Sequence, residues 1–272
     1  MKKYVMLFLF LLTLSFVFTA CNKDADNTLD DANIRTVQDL TAIEDLVLDI
    51  DDEIDEIIAN GLADNEIEVR NCPTRTATPV GDVFPKTIVI DFGESCTTQR
   101  GRVKSGKVIV VQSAPARNTG ATRTVSFENH VVDGVQITGT ANWVNNGNRS
   151  FTRSFNHTLT FPDGAAANLQ ATHTYTQTAG ADTPRISDDV FEIRGSASGV
   201  NRAGKAYRSE ITEPLVKAAN CRWVGKGMRQ VNRDGNTFVI DYGFGVSCDN
   251  RAQVTLPNGE TRIVRIEVWW RR

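Results

Sequence analysis

His130, His157 and His173 are the only three imidazoles in the 272-residue chain. His157 and His173 fall on odd positions in runs whose odd positions are otherwise apolar, and His130 falls on an even one. If Phe161 faces Ala167 across a hairpin, His157 and His173 become diagonal neighbours, ~7–8 Å apart at most. That is close enough to share a metal ion with a third ligand. No Cys or carboxylate accompanies them on that face, and Arg153 would repel a cation. Half-buried structural histidines and no metal are therefore expected. Gly195-Ser196-Ala197-Ser198-Gly199 has the outline of a nucleophile elbow but puts Ala197 where the Ser must stand. HExxH, P-loop and complete Gly-rich dinucleotide motifs are absent. Paired carboxylates of the glycosidase kind are not recognisable from spacing. With no catalytic motif, the chain reads as a non-enzyme without a cofactor.

Trp143, Trp223, Trp269 and Trp270 are the residues best suited to stack on sugar rings, although such Trp more often serve in a core or at a sheet edge. Trp143, Phe151, Phe155, His157, His173 and Tyr175 share odd parity and form the candidate ligand face.

Cysteine chemistry is more informative. Lys2 and Lys3 precede an apolar run from Tyr4 to Phe18, and Phe18-Thr19-Ala20 leads to Cys21. A charged start, a short apolar stretch and a small residue before the cut make a secretory signal. The Cys directly after Ala20 marks it as a lipoprotein signal, in which the thiol takes a diacylglyceryl group. Phe18 stands where Leu is usual. An ordinary signal peptide with a chance Cys, or an uncleaved anchor, is the competing reading. Residues 1–20 are then the signal peptide, and 21–35 a lipidated, polar, flexible tether.

Lipidation of Cys21 leaves Cys72, Cys96, Cys221 and Cys248, an even set that reads as disulfides in an oxidising compartment. Four thiols allow three pairings, and an internal repeat chooses among them. Thr87-Ile-Val-Ile-Asp91-Phe-Gly93 precedes Cys96, and Thr237-Phe-Val-Ile-Asp241-Tyr-Gly243 precedes Cys248. Each has another Cys upstream and a turn signal with a further strand downstream. The same β unit is thus used twice, over about 72–112 and 221–268, which favours Cys72–Cys96 and Cys221–Cys248. Asp91 and Asp241 recur because an Asp at a strand end accepts hydrogen bonds in the next turn.

The elements that carry these residues follow from periodicity. Leu40, Ile43, Val47, Ile50, Ile54 and Ile57 repeat at helical spacing, which predicts an amphipathic helix over 36–61 with Thr36 as N-cap and Gly61 at its C-terminal end. Asp39, Glu44, Asp45, Asp49, Asp51, Asp52, Glu53, Asp55 and Glu56 crowd its other face. With neither the glycine nor the ligand order of a calcium loop, these are expected to be solvated. Residues 21–69 hold 16 acidic side chains against two basic ones, a balance of −14, and residues 70–272 hold 26 basic against 17 acidic, a balance of +9. The basic residues are scattered over many strands and the chain is exported, so nucleic acid is not the expected partner. Docking of the acidic head on the basic body is the milder reading.

Residues 62–272 form the β domain. From about residue 83, period-two alternation over about twelve segments predicts one antiparallel meander sheet with an apolar and a polar face. Shared parity sets Val131 opposite Ile137 and Trp143 opposite Phe151, with odd-length loops between them. Laid flat, so many strands at ~4.8 Å spacing exceed what one helix covers. The sheet must therefore twist, curl or leave a groove. The fold class is mainly β: one large twisted or curled sheet with a single N-terminal helix.

Thr87–Cys96 with Gly101–Val110, Val125–Val144, Phe161-Pro162-Asp163-Gly164, Ser187–Ile193, Gly195–Gly204, Cys221-Arg222-Trp223 and Gly235–Cys248 resemble a group of Bacteroidota cell-envelope lipoproteins. The resemblance covers nearly all of residues 72–268 and implies lipid anchoring in the outer membrane, at its periplasmic face or the cell surface, and a β architecture. It supplies no activity. The expected function is a non-enzymatic binding or scaffolding module, with an envelope protein as partner. The alternatives are a carrier of a lipid or acyl chain in a curled-sheet groove, and a carbohydrate-binding surface protein.

Overall fold

The computed structural model describes residues 23–60, 72–98, 101–183, 185–243 and 248–266, with the side chains of 23–32, 45, 52, 59, 60 and 186 left aside. Cys21, Gly61, Trp269 and Trp270 lie outside the described residues or side chains.

Among the described residues one α-helix, α1 (Lys23–Asn60), precedes fourteen strands. These are β1 (Thr74–Thr78), β2 (Lys86–Asp91), β3 (Cys96–Thr97), β4 (Val103–Gln112), β5 (Thr122–Val132), β6 (Val135–Gly147) and β7 (Ser150–Thr160). Then come β8 (Ala166–Ala179), β9 (Val190–Val200), β10 (Ala206–Ala218), β11 (Lys226–Arg233), β12 (Asn236–Asp241), β13 (Arg251–Thr255) and β14 (Thr261–Arg265). All pairings are antiparallel, in chain order except that β3 pairs off the path with β4, and the sheet does not close on itself. A meander follows from short turns joining each strand to the next, because antiparallel neighbours need no crossover.

The sheet curls around α1. Arg102 and Lys104 of the β4 region, Arg123 of β5, Arg153 of β7 and Arg229 and Arg233 of β11 all reach the helix. The expected stripe is buried: Leu40, Ile43, Val47, Ile50 and Ile54 are at most 4 % exposed, and Ile57 is half-buried. Val37, Leu46 and Ile58 are buried beside it. So are Asn33, Thr36, Asp39, Asp49 and Glu53 on the remaining faces. Asp39, Asp49 and Glu53 are therefore not solvated, because the curled sheet brings cations to them, while Glu56 is exposed as expected. The helix also starts at Lys23 rather than Thr36, so residues 23–35 are helical backbone and not a flexible tether. Thr36 is an interior helix residue: its hydroxyl accepts from Asn201 Nδ2 at 3.3 Å and from Arg233.

The two repeated segments share a central strand between two antiparallel neighbours, although β3 of the first has no counterpart among the described residues of the second. In one, β2 lies between β1 and β4; in the other, β12 lies between β11 and β13. Asp91 accepts from Gly93 N and Asp241 from Gly243 N, both at 2.8 Å, the turn role expected of them. Cys72 pairs with Cys96 and Cys221 with Cys248, at Cα separations of 5.7 and 5.8 Å. Each pair ties the entry of its unit to the exit of the central strand.

Two registers differ from the sequence expectation. Val132 faces Val135 across a two-residue Asp133-Gly134 turn, so Val131 faces Gln136 and not Ile137. Asn129 and Asp133 have φ of 49° and 51°. The break in register between Ser126 and Val131 inserts a residue in β5 and restores inward parity beyond it. Trp143 faces Arg153, while Phe151 faces Asn145, because the turn is at Asn148-Arg149 with a bulge beside it. Both turn residues have positive φ, as a two-residue turn matched to strand twist requires.

Candidate functional site

The lumen between sheet and helix holds most of the chemistry-bearing side chains. Inward positions of the strands carry a chain of ring contacts. Phe92 and Phe127 each lie 5.4 Å from His130, and Phe127 lies 5.4 Å from His157. Phe155 follows at 5.2 Å from His157 and 5.8 Å from His173, and Tyr175 stacks on Phe151 at 4.7 Å. Trp143 closes the series at 4.8 Å from Phe151. The candidate ligand face thus exists as one surface, but it looks at α1. Phe155, His157, His173 and Tyr175 are buried, and Trp143 and Phe151 are half-buried.

His157 and His173 are buried on the inner, apolar face, as their odd parity predicts, but their mutual register differs from the expectation. His157 faces Leu169 and His173 faces Arg153, with the Phe155 ring between the two imidazoles. They are not diagonal neighbours, because β7 and β8 pair Leu159, not Phe161, with Ala167. His130 points inward, carried there by the β5 bulge, and its Nδ1 lies 2.9 Å from the Ser105 carbonyl oxygen. Burial, helped by the charge of Lys104, pushes the His130 pKa down to about 4. Burial and the charge of Arg153 push His157 down to about 3 and His173 down to about 4. All three rings are neutral at pH 7, and none is poised to exchange a proton there. Among the described residues no group of three His, Cys, Asp or Glu could hold a metal ion.

The cations of the inner face sit on the acidic residues of α1. Arg102 Nε lies 3.3 Å from Asp49 Oδ2, and Lys104 Nζ lies 3.8 Å from the same oxygen while also pairing with Glu53. Arg123 pairs with Asp55, Arg153 with Asp51 and Arg229 with Glu44. Arg233 Nη2 donates to Asn33 Oδ1 at 2.6 Å. Arg153 also lies over the Phe155 ring at 4.6 Å, and Arg123 over Trp143 at 5.3 Å. Desolvation makes such pairs poor sources of net stability, but removing one partner is costly. They therefore fix the rotation and depth of the helix more than they strengthen it.

A cavity of about 40 Å³ lies between helix and sheet, bordered by Glu44, Arg153, His173, Tyr175, Trp223 and Arg229. One water needs roughly 10–15 Å³ by this measure, so the cavity has room for water and not for an acyl chain. Among the described residues no helix is long and apolar enough to cross a membrane. Comparison with family profiles, with curated proteins and with solved structures gave no match.

Proposed function

We propose that the protein is a non-enzymatic binding or scaffolding module of the outer membrane, held there by a lipid on Cys21. The observation that carries this reading is the occupied lumen. The aromatic face that a lipid carrier would offer to its cargo is covered by the chain's own helix, pinned by ion pairs along its length. Two cysteine pairs suit an oxidising, exported setting. The buried neutral histidines have the surroundings of core residues, not of a catalytic base.

Native mass spectrometry of protein released from membranes tests the choice between module and carrier. The expected mass is that of the chain with its covalent anchor. A stoichiometric lipid surviving on a Cys21→Ala protein would overturn the reading in favour of a carrier. The anchor has its own test: a fatty-acid analogue fed to cells should label wild type and not Cys21→Ala.

A further inference from the structure

The outer face of the sheet is polar over β6–β11. An open cleft of about 810 Å³ lies across these strands. Its shape has a source in the sequence. Gly139 in β6 and Gly195 in β9 have φ of 108° and 134°, which bend a strand that would otherwise run straight. A Cβ at Gly139 would stand 2.0 Å from the Asn156 carbonyl oxygen, and one at Gly195 would stand 2.1 Å from that of Thr172. Asn156 and Thr172 both line the cleft, so the glycine bends lie directly beneath it.

Register places the cleft side chains in rows perpendicular to the strands. Asn142, Ser154, Thr172, Ser196, Glu210 and Gln230 are successive cross-strand partners from β6 to β11. A parallel row runs through Asn156 and Gln170 to Arg208. Neighbouring side chains in a row are ~4.8 Å apart, close to the length of one pyranose ring. Ser154 and Thr172 share a hydrogen bond of 3.2 Å. Among the described residues, the amides of Asn156, Gln170 and Gln230 make no side-chain hydrogen bond, so their donors and acceptors are available to a ligand.

The chemistry of this surface selects its occupant. Its two charged lining residues, Arg208 and Glu210, are of opposite sign, so neither a polyanion nor a polycation is favoured. Protein interfaces centre on desolvated aromatic or Arg anchors, and the one aromatic residue bordering the cleft, Phe155, turns its ring to the inner face, against His157 and His173. A regular array of neutral hydroxyls and amides matches a ligand that is itself a regular array of neutral hydroxyls. Building on the binding-module reading above, we propose that this cleft binds a neutral polysaccharide, laid across the strands and held by hydrogen bonds rather than by ring stacking.

Affinity electrophoresis of the full chain tests it, in native gels containing dextran, soluble starch, an α-mannan or a mixed-linkage β-glucan, with heparin as the acidic arm. At least one neutral polymer should retard the protein. The Asn156→Ala, Gln170→Ala double variant, altered only at exposed side chains, should keep its melting temperature and bind roughly tenfold or more weakly. Mobility unchanged by all four neutral polymers, stronger retardation by heparin, or a double variant that binds as well as wild type would each overturn the proposal. A lipid-free native mass in the same preparation would leave the module reading standing, so the two failures are distinguishable.

Discussion

Arg102 joins three elements with one side chain: its Nη1 donates to Asp133 Oδ2 at 2.9 Å, and its Nε lies 3.3 Å from Asp49 Oδ2. Arg102 and both carboxylates are at most 1 % exposed at their side chains. Asp133 belongs to the two-residue turn between β5 and β6 and also accepts from Val103 N through Oδ1. The helix, the start of β4 and a hairpin turn are thus fixed by one guanidinium. Arg102→Met should cost about 3–5 kcal/mol, because it leaves buried carboxylates short of a partner. Urea unfolding measures this. A loss below about 1 kcal/mol would mean that these charges are solvated.

The helix stripe gives a second expectation. Val47 is 2 % exposed and Ile50 is 4 % exposed against the sheet. An Asp at either position puts an unpaired charge into that contact, which costs several kcal/mol. The melting temperature of Val47→Asp and Ile50→Asp should fall clearly. If neither changes it, α1 is not docked in solution and becomes a candidate arm for a partner protein.

Acid should weaken the fold before the carboxylates titrate. Unfolded imidazoles have a pKa near ~6.5, whereas His130, His157 and His173 are pushed down to about 4, about 3 and about 4 in the fold. Above pH 6.5 both states are neutral and stability is full. As pH falls below that, the unfolded chain binds protons that the folded one refuses. Stability then falls by up to about 4 kcal/mol per pH unit for three groups. Urea midpoints at pH 7.5 and pH 5 should differ strongly, and His157→Gln should flatten the dependence by roughly a third. Equal midpoints would show that the rings protonate within the fold.

Gly195→Ala should be destabilising out of proportion to one methyl group. Its φ of 134° is foreign to L side chains, and the new Cβ would meet backbone at 2.1 Å. Strain of this kind costs on the order of 1–3 kcal/mol. Gly164→Ala is the control, with positive φ but open space around the new atom. Denaturation midpoints that drop equally would assign the whole effect to φ.

Much of this fold was legible in the residues. Alternation from β2 onward marked an antiparallel sheet, and the Asp-aromatic-Gly repeat chose the disulfide pairing that the Cα separations of 5.7 and 5.8 Å now permit. Hairpin registers were not legible, because β-bulges absorb the parity that the turns alone would have set. His130 changed faces for that reason. The buried acidic residues of α1 did leave a signal. Arg123, Arg153, Arg229 and Arg233 stand on the same parity as their apolar neighbours, where a free charge would be intolerable. Those four positions called for inward-facing anions, and the helix supplies most of them. The outer cleft left almost none, since its shape depends on backbone angles at a few glycines.

The early start of α1 has a mechanical consequence. Its backbone is helical from Lys23, two residues after Cys21, and its first described buried side chain is Asn33. Ten helical residues span ~15 Å, so a lipid on Cys21, as proposed above, would pull on the buried part of α1 through helical backbone and not through a loose coil. Tension applied between membrane and sheet would run along the helix axis and load Arg233, Arg229, Arg102, Lys104, Arg153 and Arg123 together, in shear. Contacts loaded in parallel share a force that contacts peeled one by one must each bear alone. The same pairs that set the helix position would then let the anchor withstand pulling.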